Sequence, residues 1–582
     1  MGTIRCESLE RRKLLSLSPP GPEFQVNTYT SANQYTASVA MEPTGDFVVV
    51  WHSPQDGSGY GIYAQRYNAA AVPQGGEFRV NTHTTDFQGS PSVAMDDHGN
   101  FVVVWESASQ DGSGLGVYAQ RFSSTGAPLG GEFRVNTFTS NAQRWPEVAM
   151  DALGNFVVTW TGNGQDGSGY GVYARRYSAA GTALGGEFRA NSYTTAFQSL
   201  SDVAMDSSGD FVIAWHSYGQ DGSGTGVYAQ RYNAAGSPQG GEFRANTYTT
   251  QGQAIPAVAM DAGGDFVVAW QSRDQDGNFD GVYVQRYNAL GVPQGSEFRA
   301  NTQTADTQRD VSVAMDGDGD FLVTWSSQAQ DGSAYGVYAQ RYTAAGAAQG
   351  GEFRVNTFTS GDQRIPGVAL DFDGDAVIAW ESREQDGSAF GVFARQFTPG
   401  VPAPAVTESE FRFQTAPQRL RVVFDQDVGA SLDVNDIVVQ AIPGGPTITP
   451  DFIVFDPVTF TATFSFNGVL ADANYRATLL SAGIMTAGGT PMSSDYVIDF
   501  HFLRGDANHD ARVNLQDFNI LASNFGQGGP GIDFTRGDFN YDGVVNLQDF
   551  NLLASRFGAA LARGAEASTS PRGRDALDDL LD

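Results

Sequence analysis

The chain has 582 residues, more than a single hydrophobic core organises, so it divides into several domains. Hydrophobic residues make up 41%, aromatic residues 12%, and there are 70 glycines, a mix that favours strands joined by many turns over helices. The formal net charge of −31 argues against nucleic acid or an anionic membrane surface as a partner, since both require a basic face.

Residues 1–22 read as an N-terminal leader. Cys6 is the single cysteine, so no intrachain disulfide forms, which argues neither for nor against export. No run of 18 apolar residues is present, and no membrane span is expected. The apolar patch Leu14 to Leu17 is too short for an ordinary signal-peptide core. The stretch "LERRKLLS" resembles the LE-x-R-x-LLS segment of exported planctomycete proteins, which implies export from a bacterium. The other reading is a disordered leader.

Residues 23–398 hold one unit seven times. Trp51, Trp105, Trp160, Trp215, Trp270, Trp325 and Trp380 mark it, at gaps of 54 and then 55 residues. Each unit offers four short strands bounded by Gly, Asp or Asn turns. In the second these are Glu77–Asn81, Val93–Asp96, Phe101–Glu106 and Gly116–Phe122. Four antiparallel strands repeated seven times predict a seven-bladed β-propeller, with an open solenoid or strand array as the alternative. The last unit lacks a following "EFRVN", so the first strand, "EFQVN" at Glu23–Asn27, is expected to complete the last blade. "VAMD" is then the innermost strand and "EFRVN" the outermost. The loops "NTHTTDFQGSP" and "SASQDGSGLG" should share one face.

Few repeat residues carry chemistry. The tryptophans end an apolar strand and read as packing between blades, or as ligand-stacking groups. The Asp of "QDG" (Asp56, Asp111, Asp166, Asp221, Asp276, Asp331, Asp386) reads as a turn cap, with a ring of carboxylates as the alternative. The recurring Gln (Gln34, Gln88, Gln143, Gln198, Gln253, Gln308, Gln363) is expected to bond loop backbone. The acidic hairpins Asp316–Asp320 and Asp371–Asp375 resemble calcium loops of integrin-type blades, although a plain turn serves as well. None of the six histidines sits in a nucleophile–base motif. This sameness favours a binding surface over an enzyme, so no catalytic residue is assigned. A pair of carboxylates for sugar hydrolysis stays open. "NAQRWPE", Asn141–Glu147, with Trp145, departs from the repeat and marks where a ligand would bind.

Residues 399–410 read as a Pro/Ala linker. Residues 411–503 alternate as a β-sandwich would. "VVFDQDV" and "NYRATL" resemble bacterial Ig-like domains, which implies a spacer.

Residues 504–558 contain two matching loops of twelve. Oxygen-bearing side chains fall at positions 1, 3, 5, 9 and 12: Asp506, Asn508, Asp510, Asn514 and Asp517, then Asp538, Asn540, Asp542, Asn546 and Asp549. Arg512 and Val544 at position 7 would add backbone carbonyls. Hard oxygen ligands at this spacing wrap Ca²⁺ in the EF-hand manner, so two Ca²⁺ sites are expected. Position 6 is Gly543 in the second loop and Ala511 in the first, which should weaken the first site. With "FNILASNFG" and "FNLLASRFG" after them, the loops resemble the type I dockerin module: a small helical domain of two calcium loops, each followed by one helix. The resemblance implies docking to a cohesin-like protein or cell-surface scaffold. Positions 10 and 11, which help choose the cohesin in that family, are Leu515–Gln516 and Leu547–Gln548. Residues 559–582 read as a disordered tail.

The expectation is a mainly β, exported, modular binding protein held to a partner through its dockerin. The alternative is a dockerin-bearing enzyme of polysaccharide breakdown, a hydrolase of O-glycosyl bonds, with polysaccharide as ligand.

Overall fold

The structure, a computed structural model, describes residues 17–18, 21–399, 404–486, 491–492 and 494–562. Cys6, the "LERRKLLS" stretch and residues 563–582 of the tail lie outside the described residues. The chain forms two compact units, one holding the repeats and the other residues 401 onward.

The repeat unit consists of seven antiparallel sheets in sequence, six of them four-stranded. In the second blade the strands run Gln88–Met95, Phe101–Ala108, Leu115–Phe122 and Phe133–Arg134. "VAM" is innermost and "EFR" outermost, as the sequence predicts. The inner strand is longer than Val93–Asp96, however. Its first half is hidden from the alternation by a bulge, where Ser90 has φ 50° and the register shifts between Gly89 and Ser92. The two long loop sets do meet on one face. Tyr60 bridges to Phe87, and a Cβ on Gly59 would strike the Asp86 carbonyl at 2.2 Å.

The ring closes through its first strand. Phe24 and Gln25 pair with Ala394 and Phe393 in the last blade, and Val26 N–H donates to Val392 O at 2.8 Å. Glu23 accepts from Thr357 N at 2.7 Å and Gln385 Nε2 at 2.6 Å. These are the bonds that Glu132 makes to Thr82 N and Gln110 Nε2, so the closing seam copies the others. Val26, Val39, Trp51, Val377 and Ala379 share one buried cluster, which joins the first blade to the seventh. A closed propeller therefore replaces the open-array alternative. Leu17–Ser18, inside the segment read as leader, also pairs with the final strand, at Pro399 and Thr398.

In the other unit two four-stranded sheets face each other. One orders Val406–Arg412, Arg419–Phe424, Thr461–Ser465 and Phe452–Asp456; the other Thr447–Ile448, Ile437–Ile442, Ala473–Leu479 and Tyr496–Phe502. The first strand begins inside the stretch read as linker, because its glutamates disguised the alternation. Two helices follow, α1 (Leu515–Asn524) and α2 (Leu547–Ala554).

The sandwich and the helical pair share a single core. Phe413, Phe464 and Phe502 of the sandwich belong to one buried cluster with Val513, Leu521, Phe534, Phe539, Val545 and Leu553. Tyr541 OH donates to Phe413 O at 2.7 Å, and Phe534 N donates to Gln414 O at 3.1 Å. The sandwich is therefore fused to the helical domain and is not a separate spacer. Leu561 N still bonds Ala511 O at 2.9 Å, so the tail begins later than residue 559.

Candidate functional site

The repeat residues resolve into structural roles. All seven tryptophans have no exposed surface and fill the seams between blades. The "QDG" aspartates cap their own turns, as Asp111 Oδ1 does by accepting Ser113 N at 3.1 Å. The recurring glutamines are fully buried and donate to loop carbonyls, Gln88 to Thr85 O at 2.7 Å. Asp316 is a turn residue too: its Oδ1 accepts from Asp320 N, and its Oδ2 meets the buried Arg341 guanidinium at 2.9 Å.

What differs among blades lies on the inner strands. Four residues after the recurring Gln, five blades carry Ser38, Ser92, Ala257, Ser312 and Gly367, whereas the third and fourth carry Glu147 and Asp202. Asp202 Oδ2 accepts from Val258 N on the next inner strand at 2.7 Å. Burial, then the charge of Asp202, pushes Glu147 up to about 8, and burial pushes Asp202 up to about 6. One turn of the motif away, the guanidinium of Arg144 lies 4.6 Å over the Trp145 ring, and Trp145 N donates to buried Glu106 at 3.1 Å. Trp145 is thus part-buried at the bulge of its inner strand.

The raised Glu147 has a measurable consequence. Its proton is held more tightly in the folded chain than in the unfolded one. Stability from this group is therefore complete below the unfolded value of about 4.5 and declines as pH rises toward about 8. Glu147→Gln is expected to raise stability by about 1–2 kcal/mol at pH 8.5 and to change little at pH 5. Denaturant midpoints at the two pH values check this, and equal shifts at both would contradict it.

Sequence reasoning missed Ser199 and His216, whose Oγ and Nε2 lie 2.8 Å apart in the fourth blade. The cross-strand register of Ser199 with His216 creates the pair, and linear spacing hides it. Ile255 N lies 3.5 Å from Nδ1 on the other side of the ring. Burial lowers His216 to about 4.

The paired loops are tied by their own backbone. Asp538 accepts from Asp542 N and Gly543 N at 3.1 and 2.8 Å, and Asp506 from Asp510 N and Ala511 N at 3.0 and 2.8 Å. Asn514 and Asn546 at position 9 cap α1 and α2, while Asp517 and Asp549 at position 12 reach back to the cap amides at 2.9 Å. Positions 9 and 12 thus start each helix as well as lining each loop. Each loop also pairs with the exit of the other helix: Val513 N bonds Ala559 O, and Val545 N bonds Gln527 O, both at 2.9 Å. Gly505 and Gly537, at φ 97° and 102°, let each loop approach the opposite helix, since a Cβ would meet the Leu553 and Leu521 backbone at 3.3 and 2.9 Å.

In the second loop Asp538, Asp542 and Asp549 bring carboxylate oxygens within 4.8 Å of one another, the single group of this kind among the described residues. Burial, with Asp549 and Asp542 close by, raises Asp538, a strain that a hard divalent cation would relieve. Asn540 joins them through Asp542 Oδ2 at 2.8 Å, and Asn546 Nδ2 lies 3.4 Å from the Val544 carbonyl. The donor set, all oxygen and half of it anionic, fits Ca²⁺. In the first loop Asn508 bonds Asp510 Oδ2 at 3.2 Å and its amide bonds Asp517 Oδ1 at 3.2 Å, with Arg512 N on Asp510 Oδ1. Ala511 there takes φ 65°, the left-handed turn that Gly543 makes without strain.

Residues 504–558 match the dockerin type I domain, and this segment of the chain is a dockerin. No curated protein matches the chain. Among solved structures, a protein of unknown function from Dyadobacter fermentans aligns at 8% identity and TM-score 0.43, over 66% of this chain and 99% of its own. The β-propeller domain of the Trilobed protease from Pyrococcus furiosus aligns at 9% and 0.38, over 63% and 94%. The GH93 α-L-arabinofuranosidase of Fusarium graminearum aligns at 10% and 0.38, over 53% and 92%.

Proposed function

We propose that this is an exported modular binding protein. Its propeller presents a binding face, and its dockerin docks it to a cohesin-like protein or cell-surface scaffold. Two Ca²⁺ ions would be held by Asp506, Asn508, Asp510, Asn514 and Asp517 with the Arg512 carbonyl, and by Asp538, Asn540, Asp542, Asn546 and Asp549 with the Val544 carbonyl. The dockerin match at residues 504–558 carries the reading. Leu515 and Leu547, at equivalent places in the two halves, are 62% and 63% exposed. A symmetric pair of bare leucines at the two helix starts suits a protein partner. Leu515→Asp combined with Leu547→Asp is expected to weaken capture by an immobilised cohesin panel at least ~30-fold with the helices intact, a loss typical of hot-spot residues. Absence of calcium-dependent capture by the unaltered chain would overturn the docking role.

A second reading, a hydrolase of polysaccharide, is favoured by one observation: two acids stand on adjacent inner strands where five blades have small side chains. Sugar release from plant or algal polysaccharides, lost in Glu147→Gln, would establish it.

A further inference from the structure

Between neighbouring blades the propeller repeats a cation clasp. Arg286 of the fifth blade donates to Ala345 O in the sixth at 2.6 Å and sits beside Asp265. Arg66 does the same to Thr125 O at 2.7 Å beside Asp46. The aromatic ring next to it, Phe266, stacks on Tyr287 at 4.8 Å. Asp265 Oδ1 is further held by Ala289 N at 2.8 Å, and Asp46 Oδ1 by Ala69 N at 2.9 Å.

The seam between the seventh and first blades changes all three parts. Gln396 stands where the arginine would be and reaches Ala69 O at 2.9 Å, so the carbonyl contact survives without the charge. Ala376 replaces the phenylalanine. Position 399, the counterpart of the amide donors Ala289 and Ala69, is proline and has no N–H. The acids remain: Asp371 is pushed up to about 6 and Asp375 upward as well, both chiefly by burial. The result is a cavity of about 470 Å³ walled by Phe24, Met41, Ala376 and Phe397, with Asp371, Asp375 and Gln396 on its polar side. The matching groove between the fifth and sixth blades measures about 30 Å³, and that between the first and second about 270 Å³, each with its arginine inside.

We propose that this seam is a binding site for an alkylguanidinium, the group that its sister seams carry covalently. The paired carboxylates take the planar cation, and the phenylalanine and methionine walls take the alkyl stem. Such a group would come from outside the chain, as an arginine-like molecule or a partner's arginine side chain.

N-methylguanidinium titrated into the full chain, followed by ligand-observed NMR, tests the site. Binding is expected in the unaltered chain, absent in Gln396→Arg, and about tenfold weaker in Asp371→Asn, the effect of one charge-assisted hydrogen bond. Gln396→Arg restores the repeat's own residue and should fold normally, with an unchanged or higher melting temperature. No binding in the unaltered chain, or equal binding in Gln396→Arg, overturns it.

Discussion

Chelation of divalent cations is expected to lower the melting temperature of the unit spanning residues 404–562 by about 10–20 °C. Two sites each held at about a hundred times their dissociation constant contribute roughly 5 kcal/mol together, and a unit of this size shifts about 2–4 °C per kcal/mol. Without the ion, the buried Asp538 and Asp549 and the exposed Asp542 repel one another at close range beside the start of α2. The effect should not stay inside the dockerin. Phe534 and Tyr541 are packed and hydrogen bonded to the strand end at Phe413 and Gln414, so loosening the loops opens the sandwich core as well. Calorimetry of the full chain in Ca²⁺ and in EDTA, with Asp517→Ala/Asp549→Ala as control, reads this directly. The double variant should melt at the same low temperature in both buffers. A transition unmoved by EDTA in the unaltered chain would mean that the loops hold without metal.

Replacing Trp325 by Ala is expected to cost about 3–5 kcal/mol in the propeller, the range for deleting a large buried aromatic. The ring has no exposed surface and lies against Val267, Ala269, Val282 and Val284 of the preceding blade. The loss therefore falls on a seam, where relaxation is limited because each blade is wedged between two others. Tyr218→Ala, at a side chain 47% exposed, should change stability by less than about 1 kcal/mol. Chemical denaturation of the two variants compares them. A Trp325→Ala cost no larger than that of Tyr218→Ala would mean that the seams do not carry the ring.

Much of this was visible in the amino-acid order. Tryptophans at a constant spacing can only come from a repeat, and the missing eighth "EFRVN" foretold closure by Glu23–Asn27. Glu147 and Asp202 could be found by laying the units over one another, since they interrupt a column of small residues. Ala376 and Gln396 interrupt two other columns in the same way. The inner-strand bulges were hidden because residues such as Ile255 and Ile365 adopt φ values of 51° and 52° that branched side chains ordinarily avoid. The Ser199–His216 contact and the common core of sandwich and dockerin depend on pairing across the chain, which local pattern does not encode. The proposed ligand residues of the loops were read from spacing alone, and the capping role of Asn514 and Asn546 was missed because the same side chains serve both needs.

The closing strand also bears on how the ring carries force. The chain leaves the propeller through Phe390–Pro399, which lies between Ala376–Arg383 on one side and Phe24–Gln25 on the other. Traction from a tether downstream thus pulls along the length of a strand flanked on both sides. Ladder bonds loaded in shear must rupture together, whereas an edge strand peels one bond at a time. The N-terminal strand therefore works as a latch against unravelling from the tethered end.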